Sequence, residues 1–196
     1  MNTIVVASGN RGKLREIAQI FRGYTILSMQ EAGFSGDIEE DGATFAENAL
    51  IKARAVSRAL HCTALADDSG LCVEALGGAP GVYSARFCGR HGDDAANNAL
   101  LLEKMADVPD GRRAAYFASC VALCTADGRE LTADGRTYGR ILRAPEGEGG
   151  FGYDPLFYSD ELGKSFGAAT AEEKNAVSHR GKALAALAEK LAGVRL

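Results

Sequence analysis

Two adjacent carboxylates, Asp67 and Asp68, interrupt an otherwise apolar stretch, and that interruption constrains the chain more than any other feature. Thr63, Ala64 and Leu65 predict a short buried strand, and Leu71, Cys72 and Val73 resume the apolar run after Ser69 and Gly70. A strand end that delivers paired acids into a glycine-containing turn is a common way to hold a hard cation. Mg²⁺ takes oxygen ligands, often one or two carboxylates plus substrate phosphates. Asp-Asp-Ser-Gly also favours a turn for purely local reasons, so the segment alone leaves both readings open. The tail Gly77-Gly78-Ala79-Pro80-Gly81 adds backbone able to pass close to a ligand.

A second segment has the same double character. Residues 3–7, Thr-Ile-Val-Val-Ala, read as a buried strand running into Ser8-Gly9-Asn10-Arg11-Gly12-Lys13. Leu14, Ile17, Ala18 and Phe21 then recur at helical spacing. Strand, glycine loop, lysine and helix together can cradle phosphate: loop N–H groups and the helix N-terminus face the anion, and the lysine adds a full charge. The spacing is neither that of the P-loop nor the Rossmann pattern. A strand-to-helix turn that merely contains glycines is the structural alternative.

Further along, a strand over residues 24–27 leads to the acidic run Glu39-Glu40-Asp41. Such runs are usually solvated, yet one of these acids could complete a metal site begun at Asp68. Thr44 and Glu47 have capping-box spacing and open a helix whose apolar face is Phe45, Ala49, Ala53, Val56 and Leu60. Asn48 and Lys52, four apart, share one side of it; a solvated lysine is the default. Asp93 caps a helix bearing Leu101, Leu102 and Met105. The run 114–124 is apolar on both faces, as in an interior strand.

Asp127-Gly128 marks a hairpin. The returning strand sets Leu131, Ala133 and Ile141 against Glu130, Thr132, Asp134, Arg136 and Arg140. The glycine-rich stretch 146–155 carries Phe151, Tyr153 and Asp154. Exposed aromatics there suit stacking on a nucleobase; a hydrophobic plug is the alternative. Thr170 and Glu173 start a short helix, Ser178-His179-Arg180-Gly181 breaks it, and a last helix carries Leu184, Leu187, Leu191 and Val194. Lys174, Ser178, His179 and Arg180 form a donor-rich cluster suited to an acceptor-rich ligand edge.

At 196 residues the chain is expected to be one domain over 1–196, with room for two lobes. A net charge of -4 offers no general attraction to nucleic acid or anionic membranes, and no apolar run approaches the ~20 residues a span requires. Five cysteines without a C-x-x-C pair predict reduced thiols, with Cys120 and Cys124 packed on one face of a strand. With no signal-like N-terminus, a cytoplasmic location is expected.

Taken together, Ser8 to Lys13, Asp67-Asp68-Ser69-Gly70-Leu71, residues 75–86, Gly150-Phe151-Gly152-Tyr153-Asp154-Pro155 and Ser178-His179-Arg180-Gly181 resemble the inosine/xanthosine triphosphate pyrophosphatase family, also called Ham1-like or XTP/dITP diphosphatases. The resemblance covers nearly the whole chain. It implies a homodimeric, Mg²⁺-dependent α/β enzyme with a mixed, long twisted sheet flanked by helices and two lobes with a cleft between them. The implied reaction is hydrolysis of ITP, dITP or XTP to the monophosphate and pyrophosphate. Carried over by position, Ser8, Gly9, Asn10, Arg11, Gly12 and Lys13 would hold the triphosphate. Glu40 and Asp68 would hold the metal, with Asp68 also the proton acceptor. Ser69, Phe151, Gly152, Tyr153, Asp154, Lys174, His179 and Arg180 would bind substrate. A related housekeeping pyrophosphatase for pyrimidine or modified-base triphosphates is the alternative.

Overall fold

The computed structural model describes residues 3–192, so the expected helical position of Val194 lies outside the described residues. Among the described residues seven strands form one sheet in the order β2-β1-β3-β4-β5-β6-β7. They are β1 (Thr3–Val6), β2 (Thr25–Ser28), β3 (Ala64–Val73), β4 (Ala114–Cys124), β5 (Glu130–Ile141), β6 (Phe157–Ser159) and β7 (Lys164–Ser165). β1 pairs parallel with β2 and β3, whereas β6 pairs antiparallel with β5 and β7, which makes the sheet mixed. Among the described residues five α-helices accompany it: α1 (Arg11–Ile20), α2 (Phe45–Leu60), α3 (Asp94–Lys104), α4 (Ala171–Val177) and α5 (His179–Leu191). Among the described residues, no helix is long and apolar enough to cross a membrane.

The chain divides into two compact units. The first comprises residues 1–68, 119–135 and 180–196; the second comprises 69–118 and 136–179. In the first, strand alternation sorts the core into two layers. Ile4, Val6, Leu65, Val121 and Leu123 face one way and pack with Ile17 of α1 and Ala183, Leu184 and Leu187 of α5. Val5, Ala7, Ala64, Ala66, Cys120, Ala122 and Cys124 face the other way and pack with Ala49, Ala53 and Val56 of α2. A period of two along each strand is all this requires. In the second unit Leu71, Val73, Phe117, Tyr153, Leu156, Phe157 and Phe166 form a separate core. Phe117, Phe157 and Phe166 meet there with centroids 4.8 to 6.1 Å apart.

Local signals held where they did not depend on distant partners. Both capping boxes form, at Thr44/Glu47 and Thr170/Glu173, and Asp93 caps α3 through the Ala96 N–H. β5 alternates buried and exposed as its sequence dictates, and Gly128 supplies the positive φ of the hairpin. All five cysteines are free, and burial pushes the Cys120 thiol up to about 12 and Cys124 to about 11.

Two local expectations fail. The turn expected at residues 67–70 is absent, because β3 runs unbroken from Ala64 to Val73. With β1 and β4 as its neighbours in the sheet, pairing along β3 outweighs the local turn preference of Asp-Asp-Ser-Gly. The break expected over residues 178–181 narrows to Ser178, so that His179 and Arg180 lie in the first turn of α5.

Candidate active site

The alternation that builds the first unit also separates its two acids. Asp67 follows Leu65 on the α1/α5 side, and Asp68 follows Ala66 on the α2 side. The Asp67 carboxylate accepts from Lys13 Nζ (2.7 Å) and Ser119 Oγ (2.5 Å), forms an ion pair with Arg180 Nε 3.2 Å away, and is buried. The Asp68 carboxylate accepts from Lys52 Nζ (3.0 Å) and Asn48 Nδ2 (3.3 Å), both on α2.

Titration follows those partners. Burial would raise Asp67, but the Arg180 guanidinium and the Lys13 ammonium hold it well below the usual carboxylate range. Asp68 is raised: burial dominates, Lys52 opposes it, and Glu40 adds a like charge. Burial lowers Lys13 despite Asp67, whereas Lys52 is raised because Asp68 and Glu40 outweigh its burial.

The ammonium groups of Lys13 and Lys52 meet at one atom. β1 ends its ladder where Ala7 N–H bonds the Leu65 carbonyl (2.8 Å). The next carbonyl of β3 on that side belongs to Asp67, and Lys13 Nζ (3.4 Å) and Lys52 Nζ (3.2 Å) both donate to it. Beside them begins α1. Asn10 caps it, with Oδ1 accepting from the N–H groups of Gly12 (2.8 Å) and Lys13 (3.1 Å), while Asn10 N–H donates to Ser8 Oγ (3.1 Å). Arg11, Gly12 and Lys13 thus form the first helical turn rather than a loop. That turn holds no acid, leaving the helix N-terminus electropositive.

Of the three consecutive acids, Glu40 is the one whose carboxylate reaches Lys52 (2.8 Å); Glu39 and Asp41 are exposed. Asn48 ties the acidic loop down, its Oδ1 accepting from Gly42 N–H (2.8 Å). Glu40 and Asp68 therefore place two hard oxygen donors on one cation, the Lys52 ammonium. Among the described residues no group of three or more His, Cys, Asp or Glu side chains could hold a metal. Two carboxylates, with water and phosphate as further ligands, suit a hard divalent ion such as Mg²⁺.

In the second unit, Ser69 continues β3, and the segment 151–154 is pinned on several sides. Asp154 Oδ2 accepts from Phe151 N–H (2.8 Å) and from Lys174 Nζ (2.8 Å), a buried pair, and Lys174 Nζ lies 4.3 Å from the Phe151 ring centroid. Gly152 N–H donates to Asp94 (2.8 Å), and its carbonyl accepts from Asn98 (2.9 Å). Tyr153 is no exposed stacking ring. It sits in the core with its hydroxyl on the Ser84 carbonyl (2.8 Å), which is the plug alternative. His179 is buried and stacks on Phe117, with centroids 4.8 Å apart and planes at 11°. The expected single donor cluster thus resolves into separate partnerships. Lys174 meets Asp154, His179 meets Phe117, and Arg180, in the first unit, meets Asp67 and Glu16 (2.5 Å).

Several site residues escaped sequence reasoning. Asp67 as a counter-ion, Ser119, Glu16, Asp94 and Asn98 carry no local signal. Asn48 and Lys52 did have one, their shared helix face, but the default of a solvated lysine is overturned, since Lys52 is 8% exposed.

A mixed α/β fold carrying a carboxylate pair, two convergent lysines and an electropositive helix start defines the chain as a protein built to manage anionic, phosphate-like charge. It belongs to the Ham1 family, whose profile matches residues 4–190. It is 50% identical over 193 residues to a dITP/XTP pyrophosphatase of Geobacter sulfurreducens, covering 97% of each chain. A Ham1 protein structure from Staphylococcus aureus superposes with a TM-score of 0.89 at 39% identity, covering 99% of this chain and 100% of that one. A nucleoside-triphosphatase, dITP/XTP pyrophosphatase, from Mycobacterium abscessus superposes at 0.77 with 49% identity, covering 94% and 98%.

Proposed function

We propose that the chain is a pyrophosphohydrolase of deaminated purine nucleoside triphosphates, cutting ITP, dITP or XTP to the monophosphate and pyrophosphate and so keeping them out of DNA and RNA. The observation that carries this is the convergence of Lys13 and Lys52 on the Asp67 carbonyl beside the Glu40–Asp68 pair. The names of the similar proteins give the substrate class. The enzyme acts as a cytoplasmic homodimer.

Water attacks the α-phosphorus, the bond from that phosphorus to the α–β bridging oxygen breaks, and pyrophosphate leaves with the electron pair. The nucleophile's proton passes to an Asp68 carboxylate oxygen. Ser8, Gly9, Asn10, Arg11, Gly12 and Lys13 hold the triphosphate, where fixed positive charge stabilises the transferring group. Mg²⁺, held by Glu40 and Asp68, supplies further charge neutralisation when bound. Ser69, Phe151, Gly152, Asp154, Lys174, His179 and Arg180 bind substrate, and Tyr153 anchors the segment 151–154 from within the core.

Hypoxanthine and xanthine present an O6 acceptor where adenine presents an amine. Donors held by protein partners, as at Lys174, His179 and Arg180, lose their match against that amine. Sites of this kind reject the wrong analogue by about 10⁴–10⁵-fold. A panel of dITP, XTP, ATP, dTTP and UTP, with and without Mg²⁺ and scored for pyrophosphate against orthophosphate, tests the reading. Release of orthophosphate alone, or preference for a pyrimidine, would overturn it.

A further inference from the structure

Lys52 is fully engaged. Its ammonium donates to Glu40 Oε2 at 2.8 Å, Asp68 Oδ1 at 3.0 Å and the Asp67 carbonyl at 3.2 Å, three acceptors for three N–H bonds. Two of those acceptors are the carboxylates assigned above to the divalent ion. Lys13, by contrast, has a carboxylate of its own in Asp67, 2.7 Å away.

We propose that Lys52 competes with the divalent ion: ammonium and metal claim the same two carboxylates, so the ion binds as Lys52 lets go and turns to the nucleotide's phosphates. The inference rests on the metal assignment of the preceding subsection. Two cations a few ångströms apart in a partly buried site repel strongly, so Lys52 cannot keep its place between the acids while a metal is held there. Lys52, bonded to both, holds the two acids in position while no ion is bound. The consequence is weakened binding of the ion to the protein alone and cooperative binding of ion and nucleotide, whose phosphates give the displaced ammonium a new partner.

The test measures Mn²⁺, a divalent ion that also favours oxygen ligands, binding to the full chain without nucleotide at one fixed pH, with free Mn²⁺ read by electron paramagnetic resonance. Lys52→Met and Lys52→Gln are expected to bind Mn²⁺ at least about tenfold more tightly than wild type, because a partly buried acid pair that has lost its cation gains most from a new one. Lys13→Met should tighten binding far less, and Asp68→Asn and Glu40→Gln should weaken it. Circular dichroism of each variant establishes that it is folded.

If both Lys52 variants bind Mn²⁺ no more tightly than wild type while Asp68→Asn still weakens binding, the metal site stands and competition is wrong. If Asp68→Asn and Glu40→Gln leave binding unchanged, the metal assignment itself fails. A second readout needs no variant protein for binding. In wild type, the Lys52 Cε resonance of ¹³C-lysine-labelled protein, assigned by its loss in Lys52→Gln, should shift along the Mg²⁺ titration. A resonance that stays fixed through metal saturation would overturn the proposal.

Discussion

Asp67 and Asp68 are neighbours on one strand, yet their carboxyls are shifted in opposite directions. Asp67 is held low against its own burial by Arg180 and Lys13, and Asp68 is raised chiefly by burial. Strand alternation explains the division, because consecutive side chains face opposite sides of the sheet and meet different helices. One acid thereby acts as a counter-ion to two cations, and the other is the one proposed above as the base.

Asp68→Asn should therefore remove the base while sparing the fold. Turnover should fall by at least about 100-fold, the usual scale of a lost general base. Pyrophosphate release and circular dichroism check both halves. Near-normal turnover would take Asp68 out of the role.

Asp67→Asn should act on stability, with a defined pH signature. A carboxyl whose native pKa lies below its ordinary value of 3.8 stabilises the fold fully above that value, and the contribution is lost as pH falls through the native pKa. Urea unfolding should show the variant weaker by about 3–5 kcal/mol at neutral pH, the cost of breaking a buried pair. The gap should stay flat down to the ordinary carboxylate range and close only below it. A gap that closes between pH 7 and 5 would contradict the assignment.

Asn48→Ala removes the amide that joins Gly42 of the acidic loop to Asp68. Leaving the Gly42 N–H without its acceptor should cost about 1–3 kcal/mol. Thermal unfolding measures this, and hydrogen exchange should rise in the loop carrying Glu40 while the α5 amides stay protected.

Gly150→Ala should disturb the segment 151–154. Gly150 has φ 77°, and a Cβ there would clash with Asp154 Oδ2. The side chain must displace Asp154 from Lys174 or strain the backbone, at about 1–3 kcal/mol. If Asp154 and Lys174 serve the nucleoside, KM for dITP should rise more than kcat falls. An unchanged KM in a destabilised variant would make the segment purely structural.

Elements whose signals are local were legible in the sequence. Thr44 with Glu47, Thr170 with Glu173, and the alternation of β5 all formed as their spacing dictates. Glycine segments and paired acids also marked the regions of chemistry. Roles within those regions were less legible. Tyr153 and Phe151, two residues apart, look alike in the sequence, yet Tyr153 is anchored in the core by the Ser84 carbonyl. Asp67 and Asp68 looked like one paired unit in a turn, and each instead belongs to a different face of β3.

The sequence by itself determined most of the order of strands and helices, which faces are apolar, and which residue types could carry charge chemistry, because those properties depend on neighbours a few positions apart. Tertiary structure alone decided that Asp67 answers Lys13 and Arg180 while Asp68 answers Lys52 and Asn48. That choice is set by the register in which a continuous β3 lies between its neighbouring strands. A shift of one residue would exchange the two acids between faces, and the burial of Leu65 on one side and Ala64 and Ala66 on the other opposes it.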